Sequence, residues 1–449
     1  MKKTLILPAE IHSREFDARL LQGVLALERG WRVIVGSKAL INRSIWRLPS
    51  SLYLCQTLTH KRLPMLKLLK SLGHVSYGWD EEGLVSLDRG IYLMRRVSTD
   101  SLGRLAGLVA WGNNNASDLD QRAQGVGLKA RPLGNPRFDL LRPELRGLYG
   151  QEVEAIRKAH GGFVLINTNF PSINPVISLH DLGPRALSAV NTPKSGEPAR
   201  FSEFLEHRSR IYEYFKRDLP QYARENPDLK FIVRPHPAEN AATWTGLFQG
   251  LPNVQVIREG ASIPWLIAAK ALIHNGCTTA VEASLLGHTA IAYGPEVSLE
   301  RESALPNPIS HRVANIGELG VATRTALRNE LQMGAEQRAI LEHYVSGITG
   351  PLASDAILDF CEELIAKQPA RSPLGALPSR VIGAFRHGYK YLRRDHITDR
   401  YLAKVFPTLG EDAVSRRAGE IAAVLKLPYG VQAKQISRNV FELSAGARR

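Results

Sequence analysis

The residue types best suited to chemistry stand where apolar runs end. In Phe231-Ile232-Val233-Arg234-Pro235-His236-Pro237 a β-prone run stops at a basic residue and at a histidine set between prolines. Each proline fixes its own φ and restricts its predecessor, so His236 is held at the carboxyl end of a strand. That edge of an open α/β sheet is where ligands bind. A histidine there can donate to a phosphate oxygen and, with a suitable pKa, protonate a departing phosphate. The segment Leu272-Ile273-His274-Asn275-Gly276-Cys277-Thr278-Thr279-Ala280-Val281-Glu282-Ala283 is built the same way, a strand running through a small hydroxyl-rich turn into a helix. Gly276 permits close backbone approach, Thr278 or Thr279 offers an N-cap hydroxyl, and the first N–H groups of the helix face an anion. Such loops at neighbouring strand ends point to a nucleotide phosphate. Neither a Walker lysine motif nor a dinucleotide glycine fingerprint is present, which disfavours an ATPase or a dehydrogenase.

A third element is acidic. Trp79-Asp80-Glu81-Glu82-Gly83 places consecutive carboxylates after an apolar segment. Adjacent carboxylates repel, which raises at least one pKa and prepares that group to act as a base toward an acceptor hydroxyl. Asp118-Leu119-Asp120 spells an acid-x-acid sequence that binds manganese in one class of glycosyltransferases, but it falls inside an expected helix. Acids early in a helix suit the macrodipole, so no metal is expected. Each motif also has a plain structural reading, as a packed strand-end histidine, a capped helix or a solvated acidic turn; their co-occurrence is what points to a site.

The elements that must position these residues alternate. Thr4 to Leu7 reads as a strand, Ser13 can cap a helix from Arg14 to about Arg29, and Trp31 to Val35 is a second strand after Gly30. Leu66 to Leu72 and Ala116 to Gln124 read as helices, Val75 to Tyr77 and Leu105 to Ala110 as strands. A turn at Gly134 to Asp139 and a linker with one helix from Pro143 to Gly162 precede a second alternating series that begins at Phe163. The expected architecture is therefore α/β, with Rossmann-like domains over 1–150 and 151–345 and a basic helical extension over 346–449.

The chain has 449 residues and a net charge of +15. Between Arg371 and Arg449 there are 15 Lys and Arg against 6 Asp and Glu, so the excess concentrates in the tail. There Val381, Phe385, Tyr389 and Leu392 share one helical face, with Arg380, Arg386, Lys390, Arg393 and Arg394 around it. Residues 379–394 read equally as a helix on an anionic inner-membrane surface or as a solvated helix packed on the body. No zinc-finger or RNP signature accompanies the charge, so nucleic acid is not expected as a partner. Cys55, Cys277 and Cys361 are far apart and lack metal-ligand spacing, so reduced thiols are expected. Glu10 comes too early for a signal peptide and no apolar run spans a bilayer, which predicts a cytoplasmic protein, peripheral on the membrane if the tail binds there.

Together, the acid-acid-glycine element, the His-Pro element and the Thr278-Thr279 pair resemble the signature of GT-B-fold transferases that use CMP-activated sugars, such as bacterial sialyltransferases and Kdo transferases. More closely, the chain resembles surface carbohydrate biosynthesis proteins of O-antigen and capsule pathways, through Glu10 to Gly36 with Arg14-Glu15, Asp80 to Gly83, Trp111-Gly112, Gly134 to Asp139, Asn167 to Phe170, Arg234 to Pro237 and Asn275 to Ala283. The resemblance covers roughly the first 300 to 340 residues. It implies paired Rossmann-like domains facing across a cleft, with Glu82 as catalytic carboxylate and Glu81 as second candidate. It further implies that His236, Thr278 and Thr279 contact the CMP phosphate, that Arg234, Pro237, Asn275, Gly276, Asn167 and Thr168 help hold the donor, and that Arg14 and Glu15 lie on the acceptor side. The implied partners are a CMP-sugar donor and a lipid-linked or oligosaccharide acceptor of lipopolysaccharide or capsule, with no separate cofactor. A CDP-polyol phosphotransferase of the teichoic-acid type and an inactive GT-B scaffold are the alternatives.

Overall fold

The computed structural model describes residues 3–86, 89–176, 200–298, 300–367, 381 and 405–448. The chain divides into two units, one of Met1–Leu84, Tyr92–Leu148 and Glu342–Arg449, the other of Val85–Ile91 and Tyr149–Leu341. Apart from the exposed Val381, the tail segment 379–394 lies outside the described residues.

The first unit is built on β1 (Thr4–Ala9), β2 (Arg32–Ser37), β3 (Leu52–Cys55), β4 (Val75–Gly78), β5 (Gly107–Ala110) and β6 (Ala130–Pro132), all parallel. β1, β3, β4 and β5 are buried at every position, the mark of strands covered on both faces. The helix His12–Glu28 follows β1 and buries Phe16, Leu20, Leu21 and Val24. It begins without the expected Ser13 cap: its N-cap is Ile11, and the Glu15 carboxylate instead accepts the Glu10 N–H at 2.8 Å. It ends where Gly30 takes φ +76°, letting Gly30 N–H reach Leu27 O at 2.9 Å and Trp31 N–H reach Ala26 O at 3.0 Å.

Beyond the helices expected there, the C-terminal region contains β13 (Tyr429–Ser437) and β14 (Val440–Arg448), an antiparallel hairpin. β14 pairs antiparallel with β2, so the sheet has eight strands in the order β13-β14-β2-β1-β3-β4-β5-β6. This part of the chain thus completes the first unit. The helix Ala353–Ala366 is anchored there by Asp139, which accepts Ala353 N–H and Ser354 N–H at 2.8 Å each and Ser354 Oγ at 2.6 Å. The helix Glu411–Val424 is tied to the first helix by Arg417 on Asp17 at 3.1 and 2.7 Å. The same helix covers the outer edge of β13: Ser415 Oγ accepts Ala433 N–H at 2.8 Å and Glu411 Oε1 accepts Gln435 N–H at 2.6 Å.

The second unit contains β7 (Val164–Asn167), β8 (Phe231–Arg234), β9 (Val254–Val256), β10 (Ala271–His274), β11 (Ile291–Tyr293) and β12 (His311–Val313). They form one parallel sheet in the order β12-β11-β10-β7-β8-β9. The sequence first moves outward from β7 to β9 and then restarts at β10 on β7's other side, a doubly wound Rossmann-like arrangement. The long helix Arg200–Glu225 contributes Tyr212, Phe215, Leu219 and Tyr222 to an aromatic-rich core with Phe170, Phe231 and Trp244.

Candidate functional site

In a doubly wound sheet the loops on either side of the order reversal splay apart and leave a ligand crevice at the carboxyl strand ends. In the second unit that reversal lies between β7 and β10, where Asn167 and His274 end their strands. The loops there are laced together. Asn167 Nδ2 donates to Thr279 Oγ1 at 3.0 Å, Asn169 N–H donates to Asn275 Oδ1 at 2.8 Å, and Asn169 Nδ2 donates to Gly276 O at 3.1 Å. Gly276 has φ +82°, a left-handed conformation that favours glycine. The expected threonine cap is absent: Thr278 is the N-cap of the helix Thr279–Leu285 but makes no capping hydrogen bond, and the Thr279 hydroxyl meets Asn167 instead.

The loop after β8 joins this cluster through Glu239. This fully buried carboxylate accepts from Thr168 Oγ1 at 2.9 Å, Phe170 N–H at 2.7 Å, Trp244 Nε1 at 3.0 Å and His236 N–H at 3.2 Å. Burial pushes its pKa up against those hydrogen bonds. His236 Nδ1 accepts the Ala238 N–H at 3.1 Å, so in the neutral ring the proton sits on Nε2. Pro237 follows with its carbonyl accepting from Arg258 Nη2 at 2.7 Å. Arg234 is committed elsewhere: its guanidinium donates to Glu259 O at 2.7 Å and Gly260 O at 2.9 Å and lies 4.8 Å from the Trp265 ring centre. Burial lowers its pKa to about 10 despite nearby Glu259, so it stays cationic at neutral pH. His274, beneath the loop, is fully buried; its Nδ1 accepts from Gly276 N–H at 3.0 Å and its Nε2 pairs with Ser310 Oγ at 2.9 Å. Burial, aided by Arg312, lowers its pKa to about 3 and keeps it neutral. The Cys277 thiol is pushed up by burial, which leaves it protonated and unreactive.

In the first unit the order reverses between β1 and β3. Glu15 bridges those strand ends, its Oε2 accepting Glu10 N–H and Gln56 Nε2 at 2.8 Å each. Arg14 donates to Glu15 at 3.1 Å and to Glu82 at 2.9 Å. Burial disfavours its charge, but Glu82, Glu15 and Glu81 outweigh that and raise its pKa. The consecutive acids separate into different surroundings. Asp80 is buried against Arg96, at 2.5 and 3.1 Å, and burial raises its pKa despite that partner. Glu81 is buried on Arg19 and on Trp79 Nε1, the latter at 2.8 Å. Burial would raise its pKa, but Arg19, Arg137 and Arg14 together hold it below the usual range. Only Glu82 of the three has an exposed side chain, at 52%.

The structure therefore brings Arg14, Glu15 and Glu82 together in one unit, and Asn167, Asn275, Gly276 and Thr279 in the other, with Thr168 and His236 joined through Glu239. Sequence reasoning missed Glu239, His274 as a loop brace, and Arg19, Arg96 and Arg137 as partners of the acids. Glu239, three residues after His236, carried a local signal. Among the described residues no cluster of three or more His, Cys, Asp or Glu is placed to hold a metal ion. Asp120 of the acid-x-acid sequence accepts Ala130 N–H at 2.6 Å.

No protein-family model matches the sequence, and no curated protein matches it. Among solved structures, the wall teichoic acid polymerase TagF is similar, with a TM-score of 0.51 at 11% identity over 82% of this chain and 90% of that one. A point variant of the same polymerase gives 0.50 at 10% identity, with the same coverage. A putative UDP-N-acetylglucosamine 2-epimerase from Listeria monocytogenes gives 0.48 at 13% identity over 82% of this chain and 98% of that one.

The fold is GT-B-like. At these identities the likeness is one of fold. Within it, each unit carries polar residues at the carboxyl ends of the strands that flank its order reversal, Glu15 and Gln56 in the first and Asn167 and Asn275 in the second.

Proposed function

We propose that the protein is a glycosyltransferase that moves a nonulosonic acid, Kdo or a sialic-acid-like sugar, from a CMP-sugar to a hydroxyl of a bacterial surface glycan. The observation that carries this reading is the lacing of the loops after β7, β8 and β10 at the order reversal of the second unit, where Asn169 N–H meets Asn275, Asn167 meets Thr279 and Glu239 ties His236 to Thr168. Donor phosphate would sit at the laced loops after β7, β8 and β10, contacted by His236, Thr278 and Thr279. As the bond from the anomeric carbon to the phosphate oxygen breaks, its electron pair leaves with CMP, and the donors of these loops, His236 among them, neutralise the charge that develops. Glu82 would take the proton of the acceptor hydroxyl as that oxygen bonds to the anomeric carbon. Its exposure and its pairing with Arg14 fit this role better than the enclosed settings of Asp80 and Glu81.

The fold likeness to a wall teichoic acid polymerase favours a second reading, a CDP-polyol phosphotransferase. Isothermal titration with CMP, CDP, UDP and GDP, with and without magnesium, separates the two. Selective CMP binding without metal, weakened at least about tenfold in His236→Ala, supports the CMP-sugar reading. Preference for CDP, with CDP-glycerol turnover that ignores Glu82→Gln, supports the phosphotransferase. Equal or absent binding of all four would sink both and favour a scaffold.

A further inference from the structure

The helix Arg200–Glu225 places a cation at this site that the roles above do not use. Arg208 lies with its guanidinium 5.6 Å from the Phe170 ring centre and 5.4 Å from that of Phe204. Phe170 belongs to the loop after β7 and donates its N–H to Glu239. The electrostatic partners of Arg208 are Glu239, from the loop after β8, and Cys277, from the loop after β10. Arg208 therefore stands where the loops of the candidate phosphate site meet. Among the described residues no carboxylate forms an ion pair with it, and its Nε is sealed from solvent without a hydrogen-bond partner. The residue as a whole is half-buried.

That state is costly. A guanidinium removed from water loses hydration that a counter-charge normally replaces. Elsewhere in this chain the enclosed Arg19 has Glu81, and Arg312 has Glu302. Burial lowers the pKa of Arg208 to about 10, far enough above neutrality that it remains a cation. Glu239 attracts it through space but makes no ion pair with it, its oxygens being hydrogen-bonded to Thr168, Phe170, His236 and Trp244. The aromatic rings orient the guanidinium without neutralising it.

We propose that Arg208 is a phosphate-binding residue of this site, and that the phosphate of a nucleotide donor supplies the direct ion pair that no described carboxylate makes with it. A planar guanidinium presents parallel donors that match phosphate oxygens, a role that a lysine fills less well. This rests on the nucleotide-donor reading, and the test separates the two. CMP, cytidine and inorganic pyrophosphate are titrated into the wild type, Arg208→Met, Arg208→Lys and His236→Ala, and each protein is also melted with and without ligand. Arg208→Met is expected to weaken CMP and pyrophosphate at least about tenfold and to leave cytidine unchanged, with Arg208→Lys in between. Without ligand, Arg208→Met should melt a few degrees higher than the wild type, since it removes a partly desolvated charge that has no ion pair among the described residues while keeping the apolar stem.

If CMP binding is lost in His236→Ala but intact in Arg208→Met, the Arg208 assignment falls and the nucleotide reading stands. If the wild type binds pyrophosphate through Arg208 but no nucleotide, the nucleotide reading falls and the assignment stands. A lower melting temperature with intact CMP binding would make Arg208 a structural staple between its aromatic neighbours and overturn the proposal. Binding of neither CMP nor pyrophosphate overturns both.

Discussion

Glu81 and Glu82 are neighbours in sequence and opposites in environment. Glu81 is 7% exposed and faces Arg19, which is fully buried, so each neutralises the other's charge. Removing one partner of such a pair leaves the other charge unpaired, at a cost of about 3–5 kcal/mol. Glu81→Gln should therefore lower the denaturant midpoint strongly, while Glu82→Gln should hold stability to within about 0.5 kcal/mol of the wild type. In an assay with the donor, Glu82→Gln is expected to lose about 100-fold or more in kcat. A stable, active Glu82→Gln would move the base to another group. At this scale the sequence was legible in part. The acidic run was plain, but the residues that sort it are distant: Arg19 is 62 positions from Glu81 and Arg96 is 16 from Asp80. Repulsion between the acids proved the lesser influence, since burial is the largest cause of the raised Asp80 pKa and arginines hold Glu81 down.

At the scale of the elements, the strand ends were readable because strands buried on both faces are continuous apolar runs that break sharply at the first polar residue. The geometry of the turns that follow was not. The turn after β10 was expected to rely on a threonine cap, whereas its backbone is held from below by His274. β3 was also missed, because Leu52–Cys55 is a run of only four residues, too short to show a period of its own, although Pro49-Ser50-Ser51 precedes it. His274 gives the turn a pH dependence whose sign follows from its pKa of about 3 against the unperturbed 6.5. Between those values the unfolded chain binds a proton that the folded one excludes. The stability is thus complete above pH about 6.5 and is lost as the pH falls toward 3, at about 1.4 kcal/mol per unit. His274→Gln does not titrate, so its stability should fall less steeply over that window in urea titrations at stepped pH. Parallel curves for the two proteins would show that acid sensitivity arises elsewhere.

Over the whole molecule, the chain leaves the first unit, builds the second and returns, and that return was hidden from sequence reasoning. The pairing of β14 with β2 joins residues some four hundred positions apart, such as Leu443 and Val33, and no local pattern announces it. The Gly134 to Asp139 turn looked like a break between domains; it is where the returning chain docks, through Asp139 at the start of the helix Ala353–Ala366. Asp139 is held near a pKa of about 6, chiefly by burial. Among the described residues no helix is long and apolar enough to cross a membrane.

The hairpin also ends the first unit's sheet in a nine-residue strand, β13. A strand of that length with bare amides is a template for strand addition by another molecule. Here Ser415 and Glu411 occupy the outward amides of Ala433 and Gln435. Their joint replacement by alanine should leave the chain folded, at a cost of about 1 kcal/mol per lost hydrogen bond, yet increase concentration-dependent association in light scattering relative to the wild type. Unchanged scattering would mean that strand twist alone protects the edge. The helix Glu411–Val424 thus serves as an insulator for this edge, occupying amides that would otherwise template a further strand.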